Sequence, residues 1–344
     1  MAEETARLKP VISVCIANFN GDAVLDDCLS SVIAQAAAAP VEILVHDDCS
    51  TDTSVALIRE RFPQVELITS ATNVGYCTSN NRLAEAARGD YLLLLNNDTR
   101  LHPGALDALL GFQRETPEAG ILTLPQYSLE TGELLDRGLF LDLFGNAVPN
   151  TRDGTRDVAM VMGSCLWVRR ELWQTLGGFP EWFGSIAEDL YLCCFARLLG
   201  KRVVAVDQSG YEHKVGHSFG GGKADARGLR TSLRRRALSE LNKNRVIATC
   251  YPGLSVLLLL PQGLLLLLEG IALGMAWRQP ALLTRVYLPA VLGIITDWRR
   301  LRGLRRHIQG QRQIGIGAFF GPFRLRHQKL LLLRKHGFPE IHKD

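Results

Sequence analysis

Between residues 11 and 126 the chain alternates two apolar rhythms. Short runs rich in Val, Ile and Leu have the length and composition of strands: "VISVCIAN" (11–18), "VEILVHDD" (41–48), "VELITS" (65–70), "YLLLLNND" (91–98) and "GILTLPQ" (120–126). Between them, "AVLDDCLSSVIAQAAAA", "TSVALIRERF", "TSNNRLAEAARG" and "PGALDALLGFQRE" space their apolar residues three and four apart, as amphipathic helices do. Such repeated strand–helix units predict an α/β fold, a doubly wound and mostly parallel sheet with right-handed crossovers and flanking helices. The four leucines at 92–95 suit a strand covered on both faces.

The polar positions that end these runs are as informative as the runs. The first stops at Asn18-Phe19-Asn20-Gly21, the second at Asp47-Asp48-Cys49-Ser50-Thr51-Asp52, and the fourth at Asn96-Asn97-Asp98. Taken alone, Asn96-Asn97-Asp98-Thr99 serves equally as a turn that caps the helix after Pro103. Three polar strand ends on one edge of a parallel sheet form a cleft, where open α/β sheets bind ligands. The loop "NVGYCTSNN" adds Gly75 and several amides beside it. Residues 127–157 are irregular and Gly-rich, an insertion or hairpin over the sheet. A strand and short helix follow in "VAMVMGSCLWVRRELWQTLGGF", then the amphipathic "AEDLYLCCFARLLGK" and the strand "RVVAVD". The acidic start of "AEDLYL" suits a helix dipole.

After Tyr251 the rhythm changes. "GLSVLLLLPQGLLLLLEGIALGMAW" (253–277) reaches the roughly 20 residues that cross a bilayer, but Pro261, Gln262 and Glu269 interrupt it. It reads either as a span or as a kinked helix lying in the interface. "ALLTRVYLPAVLGIITDW" is a second apolar segment carrying Arg285. Of the 344 residues, 22% are charged and 47% hydrophobic, which excludes a disordered chain. The net charge of +4 is unevenly spread: from Asp297 onward twelve Lys or Arg face three acids, and the remainder is mildly acidic. "RRLRGLRRH" and "RLRHQKLLLLRKH" set cations among Leu, as helices on a membrane surface do, so the expected partner is a membrane and not a nucleic acid. The opening "MAEETARLKP" lacks the pattern of a secretory signal. Eight scattered cysteines with no CxxC pair read as small buried thiols of a reducing cytosol.

The ordered series "ANFNG", "VHDDCSTD", "NVGYCTSNN", "GDYLLLLNND", "GGF" and "AEDLYL" resembles family 2 glycosyltransferases of the GT-A fold, most closely the bacterial rhamnosyltransferase-like branch. The resemblance covers residues 11–217. It implies a GT-A domain over 1–250, followed by membrane-associated helices over 251–344. It implies a nucleoside-diphosphate sugar as donor, with dTDP-rhamnose the first choice. A lipid-linked saccharide would be the acceptor, at the cytoplasmic side of the plasma membrane in surface polysaccharide assembly.

Residue by residue, Asp98 matches the last carboxylate of the family's DxD-like motif, and His213 the downstream metal-binding histidine. His217 is the alternative four residues on. With Asn96 in place of the first carboxylate, Asp98 is left as the strong protein ligand for Mg²⁺ or Mn²⁺. Asp189 matches the catalytic base that takes the acceptor hydroxyl's proton in an inverting transfer, and Glu188 its acidic neighbour. Ala17, Asn18, Asn20, Asp47, Asp48, Asn73, Gly75, Asn81 and Asn97 are expected to line the nucleotide sugar. A simple turn explains Gly75 equally well.

The rivals are few. "GHSFGGGKA" is not a phosphate loop, since Lys223 is followed by Ala224; its glycines are expected to form a lid over the donor. A sugar-nucleotide nucleotidyltransferase would carry a basic Gly-rich loop where "NFNGDAVLDD" stands. A non-catalytic, nucleotide-binding membrane scaffold is the other rival, and Asp98, Asp189 and His213 argue against it. "LRRRALSELNKNR" (233–245) serves either to steer an anionic lipid diphosphate or as a solvated helix face.

Overall fold

The computed structural model describes residues 9–154, 157–214, 223–225 and 228–342, with backbone alone at 223–225 and 228–230. Seven strands form the central sheet: β1 (Ile12–Asn18), β2 (Val41–Asp47), β3 (Glu66–Thr69), β4 (Tyr91–Asn96), β6 (Ala119–Thr123), β11 (Cys165–Arg169) and β12 (Arg202–Ala205). Their order is β12-β6-β11-β4-β1-β2-β3. All neighbours run parallel except β11, which is antiparallel to both β4 and β6.

Strand β4 explains why the sheet needs cover on both sides. Leu92 and Leu94 point into one core and Leu93 and Leu95 into the other, all but fully buried. Each such leucine contributes about 1.5–3 kcal/mol of transfer free energy. Helices α1 (Leu25–Ile33), α2 (Ser54–Arg61) and α4 (Ala105–Glu115) close one face. Helices α3 (Tyr76–Ala86), α5 (Arg170–Leu176) and α6 (Glu188–Leu198) close the other. Helix α1 is shorter than its apolar spacing suggests. The alanines before Pro40 leave the helix, because Pro disfavours helical geometry in the residue before it. Seven of the eight cysteines are buried, none is bridged, and Cys49 is partly exposed.

The irregular insertion is built of short strands. β5 (Thr99–Leu101), β7 (Gln126–Ser128), β8 (Leu134–Asp136) and β13 (Tyr211–His213) make a sheet of order β5-β13-β7-β8. β9 (Leu139–Asp142) pairs with β10 (Ala147–Pro149) on one side and β16 (Phe323–Arg324) on the other. β14 (Lys223–Asp225), β15 (Gly228–Ser232) and β17 (Glu340–His342) form a third small sheet.

Helix α7 (Leu233–Cys250) joins the sheet region to the C-terminal helices, packing on α6 on one side. On the other lie α9 (Leu288–Thr296) and α10 (Trp298–Gly310). Helix α8 (Leu259–Ala276) turns back through a π-helical stretch, Leu283–Tyr287, which leads into α9. They approach so closely at Gly270 that a Cβ there would lie 2.9 Å from Leu283 and from Tyr287. Helices α11 (Ile316–Phe320) and α12 (Gln328–His336) complete the chain.

The polar interruptions of the apolar segment face inward. Gln262 is buried, and Glu269 pairs with Arg236 of α7 and, at 2.8 Å, with Lys329 of α12. Buried Glu240 gathers Arg236 (3.2 Å), Lys243 (2.9 Å) and Lys329 (2.8 Å), and Arg245 pairs with Asp297 at 2.5 Å. Most of the basic stretch on α7 is therefore an internal brace rather than a solvated face. Outward, Leu254, Leu257, Leu260, Leu264, Leu268 and Met275 stand exposed, and Leu292, Ile295 and Trp298 continue the apolar surface. The 24-residue helical segment Gly253–Ala276 is long and apolar enough to cross a membrane.

Candidate active site

The carboxyl ends of β1, β2 and β4 meet in one hydrogen-bonded network. Asn18 donates to Asp47 Oδ1 (2.9 Å) and to Ser54 Oγ (3.1 Å), and accepts from Asn97 Nδ2 (2.8 Å). Asp47 Oδ2 accepts from the Ser50 N–H at 3.0 Å. Gly21 lies against this network so tightly that a Cβ would overlap Asn18 Oδ1 and Asn97 Nδ2. Half-buried Ala17 lies on β1, paired in register with Asn96 and His46. Asn20, with φ of 49°, accepts from the Thr51 N–H at 2.8 Å. These side chains brace one another and shape the cleft floor. Phe19 between them is half exposed, an aromatic ring presented at the sheet edge.

A second group arranges the neighbouring loop. The Asp48 carboxylate accepts from the Val74 N–H (2.6 Å) and the Gly75 N–H (2.9 Å), which fixes the start of α3. Gly75 has φ of 89°, in the region that favours glycine. Asn73 donates weakly to the Asp48 carbonyl at 3.4 Å. Asn81 stands apart from both groups. Its amide donates to the Phe179 carbonyl and accepts from the Phe179 N–H, both at 2.9 Å, and so holds the "GGF" turn.

Asp98 and His213 come together from separate strands, because β13 pairs with β5 directly after Asp98. Oδ1 of Asp98 lies 3.2 Å from Nε2 of His213, both residues buried. Yet this Oδ1 accepts no hydrogen bond, and the His213 Nδ1 is unpartnered. A carboxylate oxygen and an imidazole nitrogen set side by side are a donor set that suits a divalent cation. Among the described residues no three His, Cys, Asp or Glu side chains converge. His217 and the Gly-rich lid lie outside the described residues.

Glu188 and Asp189 open α6, both buried. Asp189 accepts from the Gly163 N–H (3.1 Å) and the Leu190 N–H (2.7 Å), whereas Glu188 Oε2 has no hydrogen-bond partner. Burial, and then the charge of Asp189, push Glu188 up to about 8. Burial likewise raises Asp189 above the ordinary carboxylate range. Arg235, in the first turn of α7, exerts the opposing electrostatic pull on both. The pair is reached through Ile186 and Ala187, with φ of 67° and 68°. A left-handed backbone costs such residues about 1–2 kcal/mol each. Asn242 of α7 holds this turn, donating to the carbonyls of Phe183 (3.2 Å), Ser185 (3.0 Å) and Ile186 (2.8 Å).

Tyr76 ties the halves together. Its hydroxyl lies 3.0 Å from both Asn96 Oδ1 and the Gly163 carbonyl, beside Asp98 on one side and the acid pair on the other. Burial first, and then the charges of Glu188 and Asp189, hold the phenol far above its ordinary range; Asp98 adds to the effect. Sequence reasoning singled out neither Tyr76, Phe19, Gly21 nor Asn242. An aromatic residue directly after a glycine at a helix start, and an apolar ring within a polar strand end, were the available signals.

The glycosyl transferase family 2 profile matches residues 13–177. The chain carries a family 2 glycosyltransferase domain. It is 29% identical over 219 residues to the N-acetylglucosaminyl-diphospho-decaprenol L-rhamnosyltransferase of Mycobacterium tuberculosis, covering 55% of this chain and 71% of that one. In structure it is similar to the mannosyltransferase PcManGT of Pyrobaculum calidifontis, solved with GDP-Man and Mn²⁺. The TM-score is 0.54, with 16% identity, 88% of this chain and 86% of that one. It is also similar to GalNAc-T7, solved with UDP, GalNAc and Mn²⁺, with a TM-score of 0.55 and 15% identity over 71% of this chain. The glycosyltransferase spans 48% of the length of GalNAc-T7. These likenesses establish the GT-A fold.

Proposed function

We propose that this glycosyltransferase moves a sugar, with inversion, from a nucleoside-diphosphate sugar to a lipid-linked saccharide at the cytoplasmic face of the plasma membrane. The donor of first choice is dTDP-rhamnose, and the product feeds surface polysaccharide assembly. One observation carries the reading: Tyr76 bridges Asn96, two residues before Asp98 and its neighbour His213, to Gly163, whose N–H is held by Asp189 beside Glu188.

Asp98 and His213 would hold Mg²⁺ or Mn²⁺, with diphosphate oxygens completing the shell. A bound cation would neutralise the charge that develops on the departing nucleoside diphosphate. Asp189 is the base, its carboxylate held by two backbone N–H groups. It takes the acceptor hydroxyl's proton as the new glycosidic bond forms. Glu188 keeps its proton to higher pH and so lets its neighbour ionise first. Asn18, Asn20, Asp47 and Asn97 shape the floor under the nucleotide. Phe19 offers its ring to the base, and the loop at Asn73 and Gly75 borders the ribose and diphosphate. The exposed leucine face of α8 and the exposed Arg299, Arg300, Arg302 and Arg306 of α10 support attachment in the membrane surface.

The test is transfer by the detergent-solubilised protein across a panel of nucleotide sugars, with and without divalent cation, beside Asp98→Ala and Asp189→Asn. Cation-dependent turnover of one donor, lost in both variants while Asp189→Asn still binds nucleotide, is the expected outcome. Failure to bind any nucleotide overturns the reading.

A further inference from the structure

The reaction proposed above leaves one cavity unused. A groove of about 290 Å³ opens between α8 and α12. Leu265, Leu268 and Ala272 line one side, and Leu330, Leu333 and Phe338 the other. Leu268 and Leu330 are each at least half exposed, so the groove's apolar mouth continues the leucine surface of α8. Its floor is polar. Arg236, Glu269 and Lys329 meet there, and within ion-pairing distance their cluster holds three cations, with Lys243, against two carboxylates, with Glu240. Gln262 also reaches the groove, 2% exposed, and its Nε2 has no hydrogen-bond partner. A buried amide donor with nothing to donate to marks a place where an acceptor group fits.

The position of this floor matters more than its composition. Arg236 is the neighbour in sequence of Arg235, whose charge acts on Glu188 and Asp189, and consecutive Cα atoms lie about 3.8 Å apart. The first turn of α7 thus supplies both a cation of the groove's floor and the cation that acts on the acid pair. We infer that the groove holds the phosphate-proximal stretch of the acceptor's hydrocarbon tail, a single flexible isoprenoid-type chain. Its phosphates lie over the first turn of α7, between the excess cation of the floor and Arg235. This rests on the lipid-linked acceptor proposed above. The volume favours one chain over the two of a phospholipid, since it sits at the bottom of the roughly 300–1,000 Å³ range of ligand pockets.

The experiment places the full chain in phosphatidylcholine nanodiscs with a polyprenyl monophosphate that carries a diazirine in its tail. After irradiation the labelled residues are mapped by peptide mass spectrometry. A phosphatidylcholine with a diazirine acyl chain is used in parallel. The polyprenyl probe is expected to label residues 265–273 and 330–338, and the phospholipid probe the outward Leu257, Leu260 and Leu264. Ala272→Phe, which fills the groove, is expected to cut polyprenyl labelling there at least about tenfold while nucleotide binding is kept, a change of about 1.4 kcal/mol. If that variant loses nucleotide binding, Leu333→Trp from the opposite wall replaces it. Polyprenyl labelling confined to outward faces, equal groove labelling by both probes, or no effect of filling the groove would overturn the inference. Labelling needs no turnover. A groove that labels in a protein transferring no sugar refutes the acceptor reading alone, and transfer without groove labelling refutes the groove alone.

Discussion

Replacing Glu188 with Gln tests the acid pair without assuming any substrate. The ordinary Glu pKa of 4.5 rises to about 8 in the fold, chiefly through burial. The folded protein therefore binds more protons than the unfolded chain between those values, and stability falls as pH rises from 4.5 to 8. At about 1.4 kcal/mol per pH unit the loss has a ceiling of about 5 kcal/mol. Relaxation and water entry trim this, and part belongs to Asp189, so we expect about 2–4 kcal/mol. Gln carries no charge at any pH, and its stability relative to Glu below about pH 4 measures only the exchange of OH for NH₂. Glu188→Gln should accordingly gain on the parent as pH rises, by a difference in Tm of about 3–6 °C between about pH 4 and about pH 9. Thermal unfolding followed by circular dichroism in one detergent and salt concentration reads this out. An offset that stays constant with pH, or shrinks, would show that Glu188 ionises freely and that the pair is not the buried dyad described. Where the variant retains turnover, the acid limb of its rate profile should stay in place, since Asp189 ionises beside a side chain that is neutral in both proteins.

Three further expectations bear on the same geometry. Tyr76→Phe leaves Asn96 Oδ1 and the Gly163 carbonyl without their shared donor and should cost about 1–3 kcal/mol; an unchanged urea midpoint would contradict the bridge. Gly21→Ala forces apart Asn18 and Asn97, at a cost of about 1–3 kcal/mol, and should weaken nucleotide binding by calorimetry about tenfold or more; native affinity would mean that the network does not shape the pocket. Changing Arg299, Arg302 and Arg306 to Gln should lower binding to vesicles containing anionic lipid by about 1 kcal/mol per charge, roughly a hundredfold together, and salt should mimic the change; equal partitioning at low salt would rule out α10 as the contact.

The sheet was legible because its strands are apolar on both faces. Leu92 to Leu95 call for a strand covered on both faces, which a sheet between two helical layers provides. The antiparallel direction of β11 was not legible, since side-chain periodicity carries no information on strand polarity. Nor was the end of α1, where Pro40 outweighs four alanines of high helix propensity. At the site, polar strand ends told where the cleft lies. They did not tell that Asn18, Asp47 and Asn97 would bond chiefly to one another, because those contacts join residues far apart in sequence. Asn242 acts through such contacts alone and left no local mark, and Tyr76 left only its place after Gly75 at a helix start. The interruptions of the apolar segment were visible as residues. The direction they face depends on Arg236 and Lys329, one before and one after that segment in the chain.

The pairing of β17 with β15 has a consequence for the order in which the enzyme is put together. β15 ends just before Arg235, in the segment that runs from His213 to α7. Its partner β14 makes only a two-stranded hairpin with it, and such hairpins are marginal by themselves. The strand that widens the hairpin to three is synthesised only after α8 to α12. The exposed leucine face of α8 therefore precedes in the chain the strand that completes this small sheet, and the hairpin leading into α7 gains its third strand only when the last residues of 228–342 are in place.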